Sequence, residues 1–122
     1  LMHTWEGPYD TPALIAPIAR RWPDAIFLLG HSGGGTQGRA EAVAAAKECP
    51  NVFLEYCGSF LARDRWEDTV AAVGADRVVF GTDTWLHDIA WEMGRLLSCD
   101  IGDDDLRRIL GQNMQGILAR RV

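Results

Sequence analysis

The residues best placed by type and position to do chemistry are His3, His31 and Asp83, with Glu55 and His87 as further titratable groups. His31 ends the unbroken apolar run Ala25 to Gly30 and is followed by Ser32 and three glycines, Gly33 to Gly35. A run of this kind reads as a strand buried on both faces, as in a parallel sheet. Parallel α/β folds keep their chemistry at the carboxyl ends of such strands. The glycines suit a tight turn with an exposed backbone directly after the histidine.

The elements that must position these residues can be read in chain order. Leu1 to His3 ends a strand, and Trp5 to Asp10 forms a loop around Gly7-Pro8. Thr11-Pro12 reads as an N-cap followed by proline at the first helical position. Leu14, Ile15, Ile18, Ala19 and Trp22 then share a helical face, with Pro17 expected to kink or shorten the helix. A helix follows at Arg39 to Glu48, a strand at Asn51 to Cys57, and a helix at Arg63 to Val73 stopped by Gly74. Arg77 to Phe80 is the next strand, and Asp88 to Leu97 a helix carrying Ile89, Met93, Leu96 and Leu97 inward. The last helix is expected to be capped by Asp103, with Arg120 and Arg121 near its negative end. Its stripe is Leu106, Ile109, Leu110, Met114, Ile117 and Leu118.

The strands begin near Ala25, Asn51 and Arg77, an even spacing that predicts repeated βα units and right-handed crossovers. His3, His31, Glu55 and Asp83 then fall at or near the carboxyl ends of successive strands, which is the catalytic face of a β/α barrel. Trp5 and Trp85 flank that face and suit a planar substrate, whereas Trp66 and Trp91 read as packing residues.

Composition narrows the class. The 122 residues are expected to form one partial-barrel domain, 1–122, and the opening Leu1-Met2-His3 reads as a strand entered part-way, a piece of a longer chain. A net charge of −5 with no basic run argues against a nucleic-acid partner, and no apolar stretch is long enough to span a bilayer. The three widely spaced cysteines favour free thiols in a reducing compartment, hence a cytoplasmic protein.

With those elements in order, the chain resembles the C-terminal half of the metal-dependent amidohydrolase superfamily, in the amidohydrolase-related, decarboxylase-like branch. His3 resembles the histidine that ends the fifth barrel strand. Ile26 to Gly34 resembles the sixth strand with its histidine turn, Asn51 to Glu55 the seventh, and Arg77 to Asp83 the eighth with its Gly-Thr-Asp ending. Ile109 to Asn113 resembles the closing helix of that branch. The resemblance implies an α/β fold, with strands five to eight of a (β/α)8 TIM barrel. It implies a metal-dependent hydrolase or decarboxylase of a small carboxylic, lactone or aromatic substrate. His3 and Asp83 are the implied ligands of a divalent metal, usually zinc, and His31 is implied as a ligand or as an acid/base. Zinc takes imidazole and carboxylate and generates a nucleophile from water near pH ~7. The first-strand ligands of the family lie outside this sequence, so the chain by itself is expected to bind metal weakly and to lack activity. Its open edges imply a homo-oligomer or pairing with an N-terminal half.

Two rival motifs overlie the same turn. Gly30 to Gly34 matches Gly-x-Ser-x-Gly, with Ser32 as the nucleophile of a serine esterase and Asp83 as its acid. Four residues from Gly35 to Gly38 separate the motif from the expected helix, and only His87 is available as the later histidine. Gly33, Gly35 and Gly38 match the Gly-x-Gly-x-x-Gly of an NAD-binding module, with Glu55 near the ribose position, but three residues past the strand. An inactive half-barrel is the non-enzyme alternative. Glu55 is read equally as a structural carboxylate or a catalytic one, and Cys57 as a small buried group.

Overall fold

A computed structural model of the chain describes residues 1–58 and 65–120. They belong to two compact units, Leu1–Glu55 and Tyr56–Val122. The strands are β1 (Met2–His3), β2 (Phe27–Gly30), β3 (Val52–Tyr56) and β4 (Val78–Phe80), in the order β1-β2-β3-β4. Strands β2, β3 and β4 start 25 and 26 residues apart, close to the spacing read from the sequence. The helices are α1 (Ile15–Arg21), α2 (Thr36–Glu48), α3 (Arg65–Val73), α4 (Ile89–Leu97), α5 (Asp103–Arg107) and α6 (Asn113–Ala119).

In the first unit β1 pairs in parallel with β2, with His3 beside Gly30, and β2 pairs in parallel with β3, with Leu29 beside Leu54. That register brings His3, His31 and Glu55 to one end of the three strands. Leu29, Val52, Phe53 and Leu54 pack with Ile15 and Ala19 of α1 and with Ala42, Ala45 and Ala46 of α2 to form the unit's core. Burying these side chains stabilises the unit by about 1.5–3 kcal/mol for each large aliphatic residue. Asn51, 5% exposed, donates from Nδ2 towards the carbonyls of Ala19, Trp22 and Ala25, closing the turn that feeds β2.

Four expectations change here. Pro12–Leu14 forms a 3-10 turn before α1, and Pro17 falls in the first turn of α1, where a missing N–H breaks no helical bond. Thr11 does not cap this segment, because its hydroxyl donates to Glu41. Only Ile15 and Ala19 of the expected α1 face are buried, and Leu14, Ile18 and Trp22 lie on the surface. Helix α2 starts at Thr36, three residues before the expected Arg39, with Gly35 in the capping position.

In the second unit the Tyr56 ring packs at a tilt against Trp66, Trp66 stacks on Phe80, and the Tyr56 hydroxyl meets Thr69 Oγ1 at 2.5 Å. Val78, Val79, Leu96 and Ile109 complete this core. Gly74 stops α3 as expected, at φ +88°, with its N–H donating to Val70. The expected start of that helix, Arg63, lies outside the described residues, as does Arg121.

Helix α4 does not bury the expected set. Glu92 and Leu96 face inward, whereas Ile89 and Leu97 are more than half exposed, and Trp91 is a surface residue. Glu92 is fully buried because Arg95 pairs with it at 2.7 Å and also donates to the Gly58 carbonyl.

The last helix is not continuous. A π-helical turn at Arg108–Gln112 separates α5 from α6. The extra residue shifts the helical register, so of the expected stripe only Ile109 is fully buried and Leu118 is exposed. The shift aims Asn113 Nδ2 at the carbonyls of Ala75 and Val78, 2.7 Å from each, which pins the start of β4. Asp103 is the first helical residue and Gly102 the cap; the acidic turn instead pairs Asp104 with Arg107 and Asp105 with Arg108.

Candidate active site

The first unit gathers His3, Trp5 and His31 at the carboxyl ends of β1 and β2. The His3 and His31 rings meet edge to face with centroids 4.9 Å apart, Trp5 meets His31 at 5.6 Å, and His3 stacks on Trp5 at 6.1 Å. His3 Nδ1 lies 2.8 Å from Asp10 Oδ2. With Nδ1 engaged by a carboxylate, Nε2 is the nitrogen left to act as a ligand or base, the usual arrangement of a metal-binding histidine. Asp10 was a loop residue to sequence reasoning; no spacing rule links it to His3.

The turn after β2 departs from ordinary backbone. His31 has φ +63° and Ser32 φ +47°, both left-handed, a region that costs non-glycine residues roughly 1–2 kcal/mol each. Buried polar groups hold it. Thr4 Oγ1 donates to the Gly30 carbonyl and accepts from the Gly33 N–H, Ser32 Oγ donates to the Glu55 carbonyl, and the His31 N–H donates to Glu55 Oε2. Gly34 and Gly38 are required by close approach. A Cβ on Gly34 would stand 2.5 Å from the Trp5 ring, and one on Gly38 1.8 Å from the Gly33 carbonyl oxygen.

This geometry opposes both rival motifs. Helix α2 begins closer to Ser32 than expected, and a left-handed serine before a helix suits a nucleophile elbow. Yet Ser32 is 1% exposed and its hydroxyl is spent on a main-chain carbonyl. The amino end of α2, where a dinucleotide phosphate would sit, is taken by Glu6, whose Oε2 accepts from the Gln37 N–H.

The second unit carries Asp83, three residues after β4, at φ +49°. The Leu86 and His87 N–H groups both donate to its carbonyl, and His87 Nε2 lies 3.5 Å from Asp83 Oδ2. Within this turn Trp85 has φ +89° and is 97% exposed. Trp85, His87, Ile89 and Met93 line an open, mostly apolar cleft of this unit. Asp88 caps α4 by accepting from the N–H groups of Ala90 and Trp91.

Taken unit by unit, the strand ends carry side chains of the types a zinc or manganese ion accepts, the His3 and His31 imidazoles in the first and the Asp83 carboxylate in the second.

Residues 1–115 match the model of the family described as amidohydrolase. None of the curated proteins compared with the chain matches it. Among solved structures, the chain is similar to a dihydroxybenzoic acid decarboxylase from Polaromonas sp. JS666 with bound manganese and the inhibitor 2-nitroresorcinol, at 22% identity and a TM-score of 0.63. That match covers 95% of this chain and 43% of the other. It is also similar to a 2,6-dihydroxybenzoate decarboxylase complexed with 2,6-dihydroxybenzoate (20% identity, TM-score 0.62). A 2,6-dihydroxybenzoate decarboxylase from Rhizobium is a third (20% identity, TM-score 0.63). Each of these last two matches covers 91% of this chain and 43% of the other. The chain thus spans less than half the length of these proteins, and its parallel βα units form about half of a (β/α)8 barrel, strands five to eight.

Proposed function

From the premise that the chain belongs to the amidohydrolase family, we propose that it carries half of the active site of a metal-dependent decarboxylase of small aromatic carboxylic acids. The observation that carries the reading is the left-handed backbone of His31 and Asp83, each just past the end of its strand. Strain of this kind, about 1–3 kcal/mol per residue, collects at functional sites.

In this reading His3 and Asp83 would hold the divalent metal, zinc or manganese, and Asp10 fixes the His3 ring through Nδ1, which leaves Nε2 as the ligating nitrogen. When bound, the metal supplies a Lewis acid for a substrate oxygen. His31 acts as the acid/base, because an imidazole can hold or release a proton near neutral pH. It delivers a proton to the ring carbon bearing the carboxylate, the bond between the two carbons breaks, and carbon dioxide leaves. Trp5, packed against both histidines, and Trp85 offer flat apolar surface to an aromatic ring. Aromatic acids are favoured over lactones because dihydroxybenzoate decarboxylases share the fold.

The test is a metal titration of the purified chain by calorimetry, with zinc and with manganese, beside His3→Ala and Asp83→Ala. Each substitution is expected to lower affinity at least about tenfold. Equal affinity in all three proteins removes the metal reading. Carbon dioxide release from 2,6-dihydroxybenzoate by the chain paired with its complementary barrel half, lost when the chain carries His31→Ala, separates decarboxylation from hydrolysis.

A further inference from the structure

Glu55 is a buried carboxylate, 9% exposed, at the end of β3 that lies beside the His31 turn. It touches that turn twice. Its side-chain Oε2 accepts from the His31 N–H at 3.2 Å, and its main-chain carbonyl accepts from Ser32 Oγ at 2.9 Å. A Cβ built on Gly30, the residue before His31, would lie 3.6 Å from the same Oε2, so the carboxylate is tucked against the backbone leading into the turn. The two residues it holds are the consecutive left-handed non-glycine pair, at φ +63° and +47°. Neither adopts that conformation without support from its surroundings.

We infer that Glu55 is the positioning residue of His31: one side chain and its own carbonyl clamp the strained turn and so aim the imidazole at His3 and Trp5. A charged acceptor suits the task, since a hydrogen bond to a carboxylate is roughly twice as strong as one to a neutral group. Glutamine in its place keeps the shape and the oxygen and loses the charge. The inference rests on the reading of His31 as an acid/base for its functional meaning, but its tests report on backbone and ring and do not require turnover.

The experiment is NMR on the isotope-labelled 122-residue chain. Glu55→Gln is expected to speed hydrogen exchange of the His31 amide at least about fivefold. It is also expected to move the His31 ring resonances towards those of an unstructured peptide, because the ring leaves the field of Trp5; the His87 resonances stay in place as the control. Unchanged His31 exchange and ring shifts overturn the inference. A double-mutant cycle supplies the second measurement. Glycine enters the left-handed region freely, so Glu55→Gln should lower the melting temperature by about 4 °C in the natural sequence and by less than half as much in a His31→Gly background. If Glu55→Gln alone does not fold, the double variant must. Full additivity of the two substitutions, or a double variant that also fails to fold, overturns the clamp. Loss of the clamp signals retains the positioning role even where the chain paired with its complementary barrel half releases no carbon dioxide, a result that removes the decarboxylase reading alone.

Discussion

Among the described residues, four that are not glycine adopt a left-handed backbone: His31, Ser32, Asp83 and Trp85. Three of them carry proposed roles in binding or chemistry, and the fourth, Ser32, is the turn's anchor. Ser32 attracts notice in the sequence because it completes a familiar motif, but burial and its bond to the Glu55 carbonyl leave no hydroxyl to attack a substrate. A serine-directed phosphonate is therefore expected to leave the chain unlabelled by mass spectrometry, and labelling at Ser32 would restore the esterase reading. Asp10 makes the opposite point. Its carboxylate holds His3 Nδ1 at 2.8 Å, so Asp10→Ala should weaken divalent-metal binding by roughly tenfold or more while leaving the fold in place. Calorimetry with manganese, paired with a circular dichroism melt, separates those two effects.

At the scale of elements, small residues decide how closely the first unit packs. Helix α2 presents Gly38, Ala42, Ala45 and Ala46 to the interior, and its first turn runs against the His31 turn through Gly33 and Gly38. Gly38→Ala forces a Cβ into the Gly33 carbonyl, where the clash is with backbone that cannot rotate away. We expect a loss of about 2 kcal/mol or more in chemical unfolding. Gly94 in α4 is the contrasting case, with open space where a Cβ would go. Gly94→Ala should stabilise by about 0.5–1 kcal/mol, because alanine loses less chain entropy in a helix. Asn51 and Asn113 do similar work in their own units, each tying two or three main-chain carbonyls at the entrance to a strand.

For the whole molecule, both units leave large apolar side chains on their surfaces. Leu14, Ile18 and Trp22 form an exposed stripe along α1, and Trp85, Leu86 and Trp91 are exposed in the second unit. Covering such residues is favourable by roughly 25 cal/mol per Å² of apolar surface. The chain is accordingly expected to self-associate, or to pair with the complementary barrel half when it is supplied. Sedimentation velocity across a concentration series checks this, and a monomer throughout that ignores an added half would contradict it. No helix among the described residues is long and apolar enough to cross a membrane.

The strand rhythm, the parallel βα repeat and the placement of His3, His31, Glu55 and Asp83 near strand ends were legible in the sequence, because they depend on local hydrophobic runs and on turn residues a few positions apart. The Gly74 stop was legible for the same reason. Other features were fixed only by contacts between distant parts of the chain. The π-helical turn that redirects Asn113, the buried Glu92–Arg95 pair on α4 and the exposure of Trp91 depend on which face each helix turns inward, and periodicity cannot choose between two equally apolar faces. The pairing of Asp10 with His3, the capture of the α2 amino end by Glu6 and the clamp of Glu55 on a left-handed His31 join residues that share no spacing rule. The sequence by itself named the chemical groups; tertiary structure alone decided which group holds which, because only the packed strands bring those hydrogen-bond partners together.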